Sequence, residues 1–318
     1  MAGEGKDIAA NGPAGVAPGG ACYHCRLWRG GVARAMIQEL FHIGSFSVSP
    51  FGLMLVCAFL ASYAQLRWGM RRLDVGDEED ASALVFAAGL GGIVGAKIYY
   101  ALLNRDWHVL LDRSGLVWYG GFVLGAAAVL LVIWRRRLPA WPLLDAAMPA
   151  LALGYAVGRI GCFLVGDDYG RPSNLPWAVA FPVGLPRTTA GDLRQVFHLD
   201  IPASVPDDTL LRVHPTQLYE TATCLLIWGF ALWLMRRRPT LAGAPGFLGM
   251  AVLCLLALER LLVEFLRAKD DRFFGDFTLA QAISVLVLLV AAGLAWTRWR
   301  RGQEALQPRR SQTSTAAL

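Results

Sequence analysis

Three groups of ionisable residues lie inside or at the ends of apolar stretches of this sequence. The first is Arg159, in GRIGCFLVGDDYGRP at 158–172, and the second is His214 with Glu220. The third lies in ERLLVEFLR at 259–267. Arginine presents a planar fork of N–H donors that binds phosphate or carboxylate oxygens in pairs, and it keeps its charge at any relevant pH. These residue types therefore indicate a site for an anionic group.

The spacing in the third group places three ionisable side chains on one helical stripe. Arg260 and Glu264 are four residues apart, and Glu264 and Arg267 are three apart, which are the spacings of neighbours on a helix surface. Glu259 points away from this stripe. We therefore expect Arg260 and Arg159, from two different helices, to approach the same outward-facing cavity.

The chemistry of these residues leaves three interpretations open. An intramembrane arginine pair with nearby acids is typical of a phospholipid headgroup site, of a structural ion-pair network and of a water-lined transport path. Gly158 and Gly161 flank Arg159 and favour the first interpretation, because they allow another helix or a lipid phosphate to approach the backbone. A transporter commonly contains an internal repeat, and none pairs 46–165 with 217–297.

The composition places these charges in a membrane. Hydrophobic residues make up 55% of the 318-residue chain and charged residues 17%, whereas soluble domains contain about 25% charged residues. The apolar residues form runs long enough to cross a bilayer, which takes roughly 20 residues per helix. These runs do not alternate as the strands of a β-barrel do. The sequence therefore predicts an all-α polytopic membrane protein.

The hydropathy pattern predicts about seven transmembrane helices. They are 46–66, 82–103, 115–134, 143–165, 217–235, 246–266 and 277–297. Basic clusters follow the first, third, fifth and seventh spans, so seven spans would place all four clusters on one side. The clusters are Arg67, Arg71 and Arg72; Arg135–Arg137; Arg236–Arg238; and Arg298, Arg300 and Arg301. The positive-inside rule makes that side cytoplasmic, so we expect the N-terminus outside and the C-terminus in the cytoplasm.

The chain divides into three parts. Residues 1–35 contain no signal-peptide core, and we interpret them as a disordered extension or as the result of an early start codon, with Met36 as the true start. A single CxxC at 22–25 lacks the second ligand pair expected of a metal site. Residues 36–300 form the seven-span domain, and 301–318 are a polar, basic, disordered cytoplasmic tail.

The longest segment between two predicted spans is 166–214. The predicted topology places it outside the membrane. Its frequent prolines exclude a long helix and favour short strands or turns. We therefore expect a small extracytoplasmic cap, which would guide a peptide toward the cavity.

Five motifs, in order along the chain, resemble those of prolipoprotein diacylglyceryl transferases. GRIGCFLVGDDYGRP at 158–172 is similar to Gly-Arg-x-Gly-Asn-Phe followed by Gly-Glu and a further Gly. HPTQLYE at 214–220 resembles His-Pro-Ser/Thr-Gln-Leu-Tyr-Glu, and ERLLVEFLR at 259–267 resembles Arg-x-x-x-Glu-x-x-Arg. MIQELFHIGSFSVSPFGLML at 36–55 resembles the family's N-terminus, and YGGFVLG at 119–125 takes the place of its His-Gly-Gly motif.

The resemblance implies a multi-pass enzyme of the bacterial plasma (inner) membrane. Its reaction moves the diacylglyceryl group of phosphatidylglycerol to the lipobox cysteine thiol of a preprolipoprotein signal peptide, which leaves a thioether and releases glycerol phosphate. No metal, diffusible cofactor or nucleic acid is implied. Carried over to this sequence, Arg159 and Arg260 are the catalytic phosphate partners, and Gly170 and Glu264 shape the substrate site. Guanidinium groups placed in advance would stabilise the charge on a departing phosphate.

The sequence departs from the family pattern at five positions, two of which are Phe51 and Leu256, where the family has a tyrosine in the first and the sixth span. Tyr119 stands where the family has histidine, Cys162 where it has asparagine and Asp167 where it has glutamate. Tyrosine, with a reference pKa near 10, is a poor base at neutral pH, although its hydroxyl can bond a headgroup. His214 is an alternative base, or a residue that begins its span. Two other functions stay open: a phosphatidylglycerol-binding paralogue with another acceptor, and a non-enzymatic lipid-binding or transport protein.

Overall fold

The computed structural model describes residues 39–43, 46–111, 117–237, 244–269, 272–274 and 277–306. The helices are α1 (Pro50–Leu73), α2 (Glu78–Asn104), α3 (Trp118–Arg136), α4 (Ala140–Val165), α5 (Ala190–Phe197), α6 (Thr216–Arg237), α7 (Phe247–Glu264) and α8 (Leu279–Leu306), with a 3-10 turn at His108–Leu111. Two small antiparallel hairpins pair β1 (Phe41–Ile43) with β2 (Phe46–Val48) and β3 (Arg272–Phe274) with β4 (Phe277–Thr278). The predicted all-α class is confirmed.

Six of the described helices are long and apolar enough to cross a membrane, namely α1 to α4, α6 and α8. The chain is therefore a multi-pass membrane protein. The predicted span at 246–266 is the 18-residue helix α7, which is not among these six. Its Glu259, Arg260 and Glu264 reduce its apolar character, so length and composition alone do not identify it as a span.

The predicted start of the first span is too early by several residues. Residues 46–48 are strand β2, paired with β1, rather than helix. The Ser49 side chain accepts a hydrogen bond from the Gly52 N–H at 3.0 Å, and Pro50 occupies the first turn of α1. A serine cap followed by proline is a strong helix-start signal, and it sets the boundary here.

Helix α4 lies at the centre of the bundle, against α1, α6 and α7. Helix α1 runs antiparallel to it, because Gly161 near the end of α4 faces Met54, whereas Ala146 near the start of α4 faces Gly69. A Cβ added to Gly161 would lie 3.0 Å from the Met54 Cβ. This glycine therefore allows the helices to approach closely, while a Cβ at Gly158 would meet nothing within 4 Å.

The described members of the four basic clusters lie at one end of the bundle. Arg72 donates to the main-chain oxygen of Met235 at the end of α6 (3.4 Å), and Arg136 at the end of α3 pairs with Asp80 at the start of α2 (2.7 Å). The Arg298 Nε–H donates to the main-chain oxygen of Pro245, just before α7, over 2.6 Å. We call this the basic end; the side of the membrane that it faces stays a prediction.

Residues 166–214, the cap, lie at the opposite end and have a core of their own. Its buried side chains are Tyr169, Val179, Phe181, Leu193 and Val213, packed with Ala268. Isolated bridges such as Val179 with Val213 join its segments, and α5 is its one described α-helix. The expectation of turns and no long helix agrees with this arrangement, although full strands do not form.

Two of the predicted segments lie outside the described residues. These are the extension at 1–35, with its CxxC at 22–25, and the final residues 307–318. The predicted tail begins too early, however, because α8 continues through Leu306. Its polar last residues extend an apolar helix by one or two turns, since helix formation propagates at low cost once nucleated.

Candidate functional site

Three helix ends meet beside the cap and bring five ionisable residues together. Arg159 lies near the end of α4, Glu220 near the start of α6, and Arg260 and Glu264 near the end of α7. Arg267 follows α7 directly. Because α4, α6 and α7 pack against one another, these side chains share one junction, which we call the arginine cluster.

Glu220 is the centre of the arginine cluster. Its side chain is completely buried and forms an ion pair with Arg159. One of its oxygens lies 3.6 Å from Arg267 and 3.9 Å from Arg260, and the Tyr155 hydroxyl donates to it at 3.0 Å. The expected approach of Arg159 and Arg260 therefore occurs around a shared carboxylate.

Glu264 holds the second side of the cluster. It pairs with Arg260 at 2.7 Å and lies 3.8 Å from Arg267, and Thr278 donates its hydroxyl to the other carboxylate oxygen at 3.1 Å. Glu264 therefore contacts both of its predicted neighbours, but the predicted stripe is helical only for Arg260 and Glu264, because α7 ends at Glu264 and Arg267 lies beyond it. Glu259 lies off the stripe, as expected, and accepts a long hydrogen bond of 3.5 Å from a threonine of α6.

Asp168, in the cap, pairs with two arginines of the cluster. Its carboxylate bridges Arg159, at 2.9 Å, and Arg267. The Arg159 and Arg267 side chains are 7% and 4% exposed, whereas Asp168 is 42% exposed. Burial alone would raise the pKa of this carboxyl, but the charges of Arg267 and Arg159 lower it to about 2. Asp168 is therefore an anion at any physiological pH.

The start of α6 fixes the loop that carries Asp168. The Thr216 hydroxyl donates to the main-chain oxygen of Asp168 at 2.9 Å, and the Gln217 side-chain amide donates to that of Asp167 at 2.5 Å. Asp168 itself has a φ of 56°, in the left-handed region that aspartate tolerates better than most residues. Burial and the neighbouring charge of Asp168 raise the pKa of Asp167 to about 6.

Gly170 allows three segments of the chain to converge beside this loop. Its N–H donates to the main-chain oxygen of His214 at 2.8 Å, and it forms a bridge with Arg267. A Cβ at this position would lie 2.5 Å from the Leu266 oxygen and 2.7 Å from the His214 Cβ. Only glycine fits such a contact, so Gly170 shapes the backbone around the arginine cluster.

Cys162, Asp167 and Asp168 form a group whose sulfur and carboxylate oxygens lie within 4.8 Å of one another. Thiolates and carboxylates are ligands for metal ions. Here, however, Arg159 donates to the Cys162 sulfur at 3.4 Å, and Arg159 and Arg267 both bond Asp168. The positive charges of these arginines oppose the binding of a cation at this group.

Two predicted residues are not members of the arginine cluster, Tyr119 at a distance in the fold and His214 beside the loop that carries Asp168. Tyr119, 48% exposed, begins α3, a helix that packs on α2 rather than on the helices that carry the arginines. His214 is half-buried just before α6, where burial lowers its pKa and its Nδ1 lies 3.4 Å from the Tyr219 hydroxyl. Trp177 of the cap donates to the same hydroxyl at 2.7 Å, so Tyr219 links the rings of His214 and Trp177.

Sequence reasoning singles out Glu220 as an ionisable residue but gives it no partner, and it misses Asp168. Glu220 carries a usable signal, since an acid inside an apolar span is rare and usually has a partner or a function. Asp168 carries no comparable signal, because it lies in a polar loop beside another aspartate. Its contacts depend on the turn after α4 and on the bond from Thr216, which no local pattern predicts.

The comparisons with known proteins agree with one another. A family model described as prolipoprotein diacylglyceryl transferase matches residues 38–297. Three curated relatives carry the name phosphatidylglycerol–prolipoprotein diacylglyceryl transferase. The one from Synechococcus elongatus is 29% identical over 269 residues, covering 81% of this chain and 86% of the relative. Those from Trichormus variabilis and Paraburkholderia phymatum are each 30% identical, covering 82% and 84% of this chain and 90% and 94% of the relatives.

Proposed function

This chain belongs to the prolipoprotein diacylglyceryl transferase family, and we propose how it performs that transfer. The donor is phosphatidylglycerol and the acceptor a prolipoprotein, as in the names of its relatives. The acceptor atom is the cysteine sulfur of the lipobox. It forms a bond to the glyceryl carbon while the bond from that carbon to the phosphate oxygen breaks. The products are a thioether and glycerol phosphate, and the thiol proton passes to a base.

The convergence of Arg159, Arg260 and Arg267 is the observation that carries this proposal. Arg159 is 6% exposed, yet its Nε–H has no hydrogen-bond partner within the described residues. An unsatisfied buried donor is costly, and a phosphate oxygen would satisfy it. Arg260, 25% exposed, is the most accessible of the three guanidinium groups.

The arginines stabilise the negative charge that develops on the phosphate as the lipid carbon–oxygen bond breaks. Donors that are already oriented stabilise this charge without reorganising during the reaction, and more strongly where water is excluded. Glu220 and Glu264 provide that orientation, because each contacts two or more of the guanidinium groups. Arg159 and Arg260 are the catalytic phosphate partners in this proposal, and the two glutamates are positioning residues.

The surroundings of the site suit a lipid donor and a peptide acceptor. We place the basic end in the cytoplasm of a bacterium and the cap outside its plasma membrane, following the positive-inside rule. The arginine cluster then lies at the outer end of the bundle, near the depth of the lipid phosphates. A signal peptide can present its cysteine there, and the cap forms the wall beside it.

The test is transfer by purified protein in nanodiscs that contain phosphatidylglycerol, with a lipobox peptide as acceptor and mass spectrometry of the peptide as the readout. We expect Arg159→Gln to lower turnover by roughly 10²–10³, the usual cost of removing one donor to developing charge. Arg159→Lys should recover little of it, because lysine keeps the charge but loses the two-point fork.

Arg136→Gln is the matched control, since Arg136 also pairs with a carboxylate but lies at the basic end. It should leave transfer unchanged. Turnover is expressed per folded molecule, with thermal unfolding as the check of folding. Full specific activity in a well-folded Arg159→Gln protein would refute the phosphate assignment. Rescue of a bacterium depleted of its own transferase extends the test to cells.

A further inference from the structure

The charges of the arginine cluster balance only when Asp168 is counted. Arg159, Arg260 and Arg267 carry three positive charges, and Glu220 and Glu264 contribute two negative charges. These five residues leave one positive charge without a counter-charge. A phosphodiester such as the headgroup of phosphatidylglycerol carries one negative charge, so it would complete the balance as well as Asp168 does.

The three carboxylates differ in their access to solvent. The Glu220 and Glu264 side chains are 0% and 1% exposed, whereas that of Asp168 is 42% exposed. Removing a buried carboxylate from its arginines would leave charges unpaired in a medium of low dielectric constant, which is strongly unfavourable. Asp168 can instead exchange its arginines for water. Among these three acids it is therefore the one able to leave.

The contacts of Asp168 match those of a phosphate. One carboxylate oxygen bonds Arg159 and the other bonds Arg267, and the two non-bridging oxygens of a phosphodiester can bond two guanidinium groups in the same way. The main chain of Asp168 is held separately by the Thr216 hydroxyl. Its side chain can therefore rotate away without displacing the loop.

We propose that Asp168 is a tethered carboxylate that occupies the phosphate position of the lipid-free protein and is displaced by the phosphate of phosphatidylglycerol. The inference rests on the proposed function, because it concerns the donor site of the same reaction. Asp168 keeps Arg159 and Arg267 paired while the site is empty. It also lowers the apparent affinity for the lipid, because only the fraction of molecules with the carboxylate displaced can bind.

Direct lipid binding tests the proposal without any acceptor peptide. Purified protein in neutral detergent is titrated with dioleoyl phosphatidylglycerol and followed by native mass spectrometry. We expect Asp168→Asn to lower the apparent Kd on the order of fivefold, the effect of removing one competing, partly exposed carboxylate. In the transfer assay, KM for the lipid should fall by a similar factor while kcat changes little. Dioleoylglycerol, which has the same acyl chains but no phosphate, should show no such gain.

Glu78→Gln is the matched control, because Glu78 also bridges two arginines, Arg67 and Arg71, but at the basic end. It should leave lipid binding unchanged. Asp168→Glu keeps the charge and should bind lipid about as weakly as the natural protein. Thermal unfolding identifies a variant that fails to fold, in which case Asp168→Ala, which also removes the charge, takes its place.

The outcomes separate this inference from the proposed function. Equal or weaker lipid binding by folded Asp168→Asn and Asp168→Ala proteins would overturn the displacement, even if transfer proceeds. Tighter binding without transfer by any variant would support the displacement and contradict the proposed reaction. Tighter binding of dioleoylglycerol as well would also overturn it, since relief of general crowding would then explain the gain.

Discussion

Tyr119 is the side chain at which this sequence departs most clearly from the chemistry of its family's motif. A phenol accepts a proton poorly at neutral pH, whereas a neutral imidazole accepts one readily. If the missing imidazole limits the reaction, Tyr119→His should raise kcat at about pH 7 by at least tenfold, since a base positioned at the reacting thiol commonly contributes about 10²–10⁴. The gain should appear as the pH rises through about 6.5, where the imidazole loses its proton. Initial transfer rates over a pH series in nanodiscs measure it.

A second substitution of Tyr119 is the control for this prediction. Tyr119→Phe removes the hydroxyl and keeps the ring that is half exposed at the start of α3. Unchanged activity in this variant would remove the hydroxyl from the mechanism. Activity of Tyr119→His no higher than that of the natural protein across the pH series would show that the missing imidazole does not limit the reaction.

Helix α5 stabilises the cap, which contains Asp168. Leu193 is completely buried between Tyr169, Phe181 and Val213. Leu193→Ala should cost about 2–5 kcal/mol through lost burial and a cavity. Since Tyr169 follows Asp168 directly, we expect a lower Tm and lower turnover per folded molecule. Val196→Ala, on the exposed side of the same helix, should change neither, and equal loss in both variants would contradict this assignment of faces.

The whole molecule has two chemically different ends, and the positive-inside rule assigns them to opposite sides of the membrane. We expect a cysteine introduced at Ser204, in the exposed part of the cap, to react with an impermeant maleimide in intact cells. A cysteine at Glu79, at the basic end, should react only after the membrane is permeabilised. Both variants need a background in which the six native cysteines are replaced. The reverse labelling pattern would refute the orientation.

The sequence by itself determined the class of the protein and which arginines belong to its candidate site. In a bilayer, the backbone N–H and C=O groups of long apolar runs find hydrogen-bond partners when the runs are helical, and unpaired backbone groups are too costly there. Ionisable residues in such runs are rare enough to mark a site. Local spacing therefore sufficed to bring Glu264 together with Arg260 and Arg267, as the ion pairs show, although Arg267 lies beyond the end of α7. It also sufficed for the expectation that Arg159 would join them.

The tertiary structure alone decided how the charges are partnered. Glu220 lies at the centre because α6 begins beside the end of α4, and Asp168 reaches two arginines because the turn after α4 is held by Thr216. The same packing puts Tyr119 on a different pair of helices from Arg159. These relations join residues that are distant in sequence, and local propensity and hydropathy carry no information about distant partners. Ion pairing in the site depends on helix packing, whereas membrane insertion depends on composition.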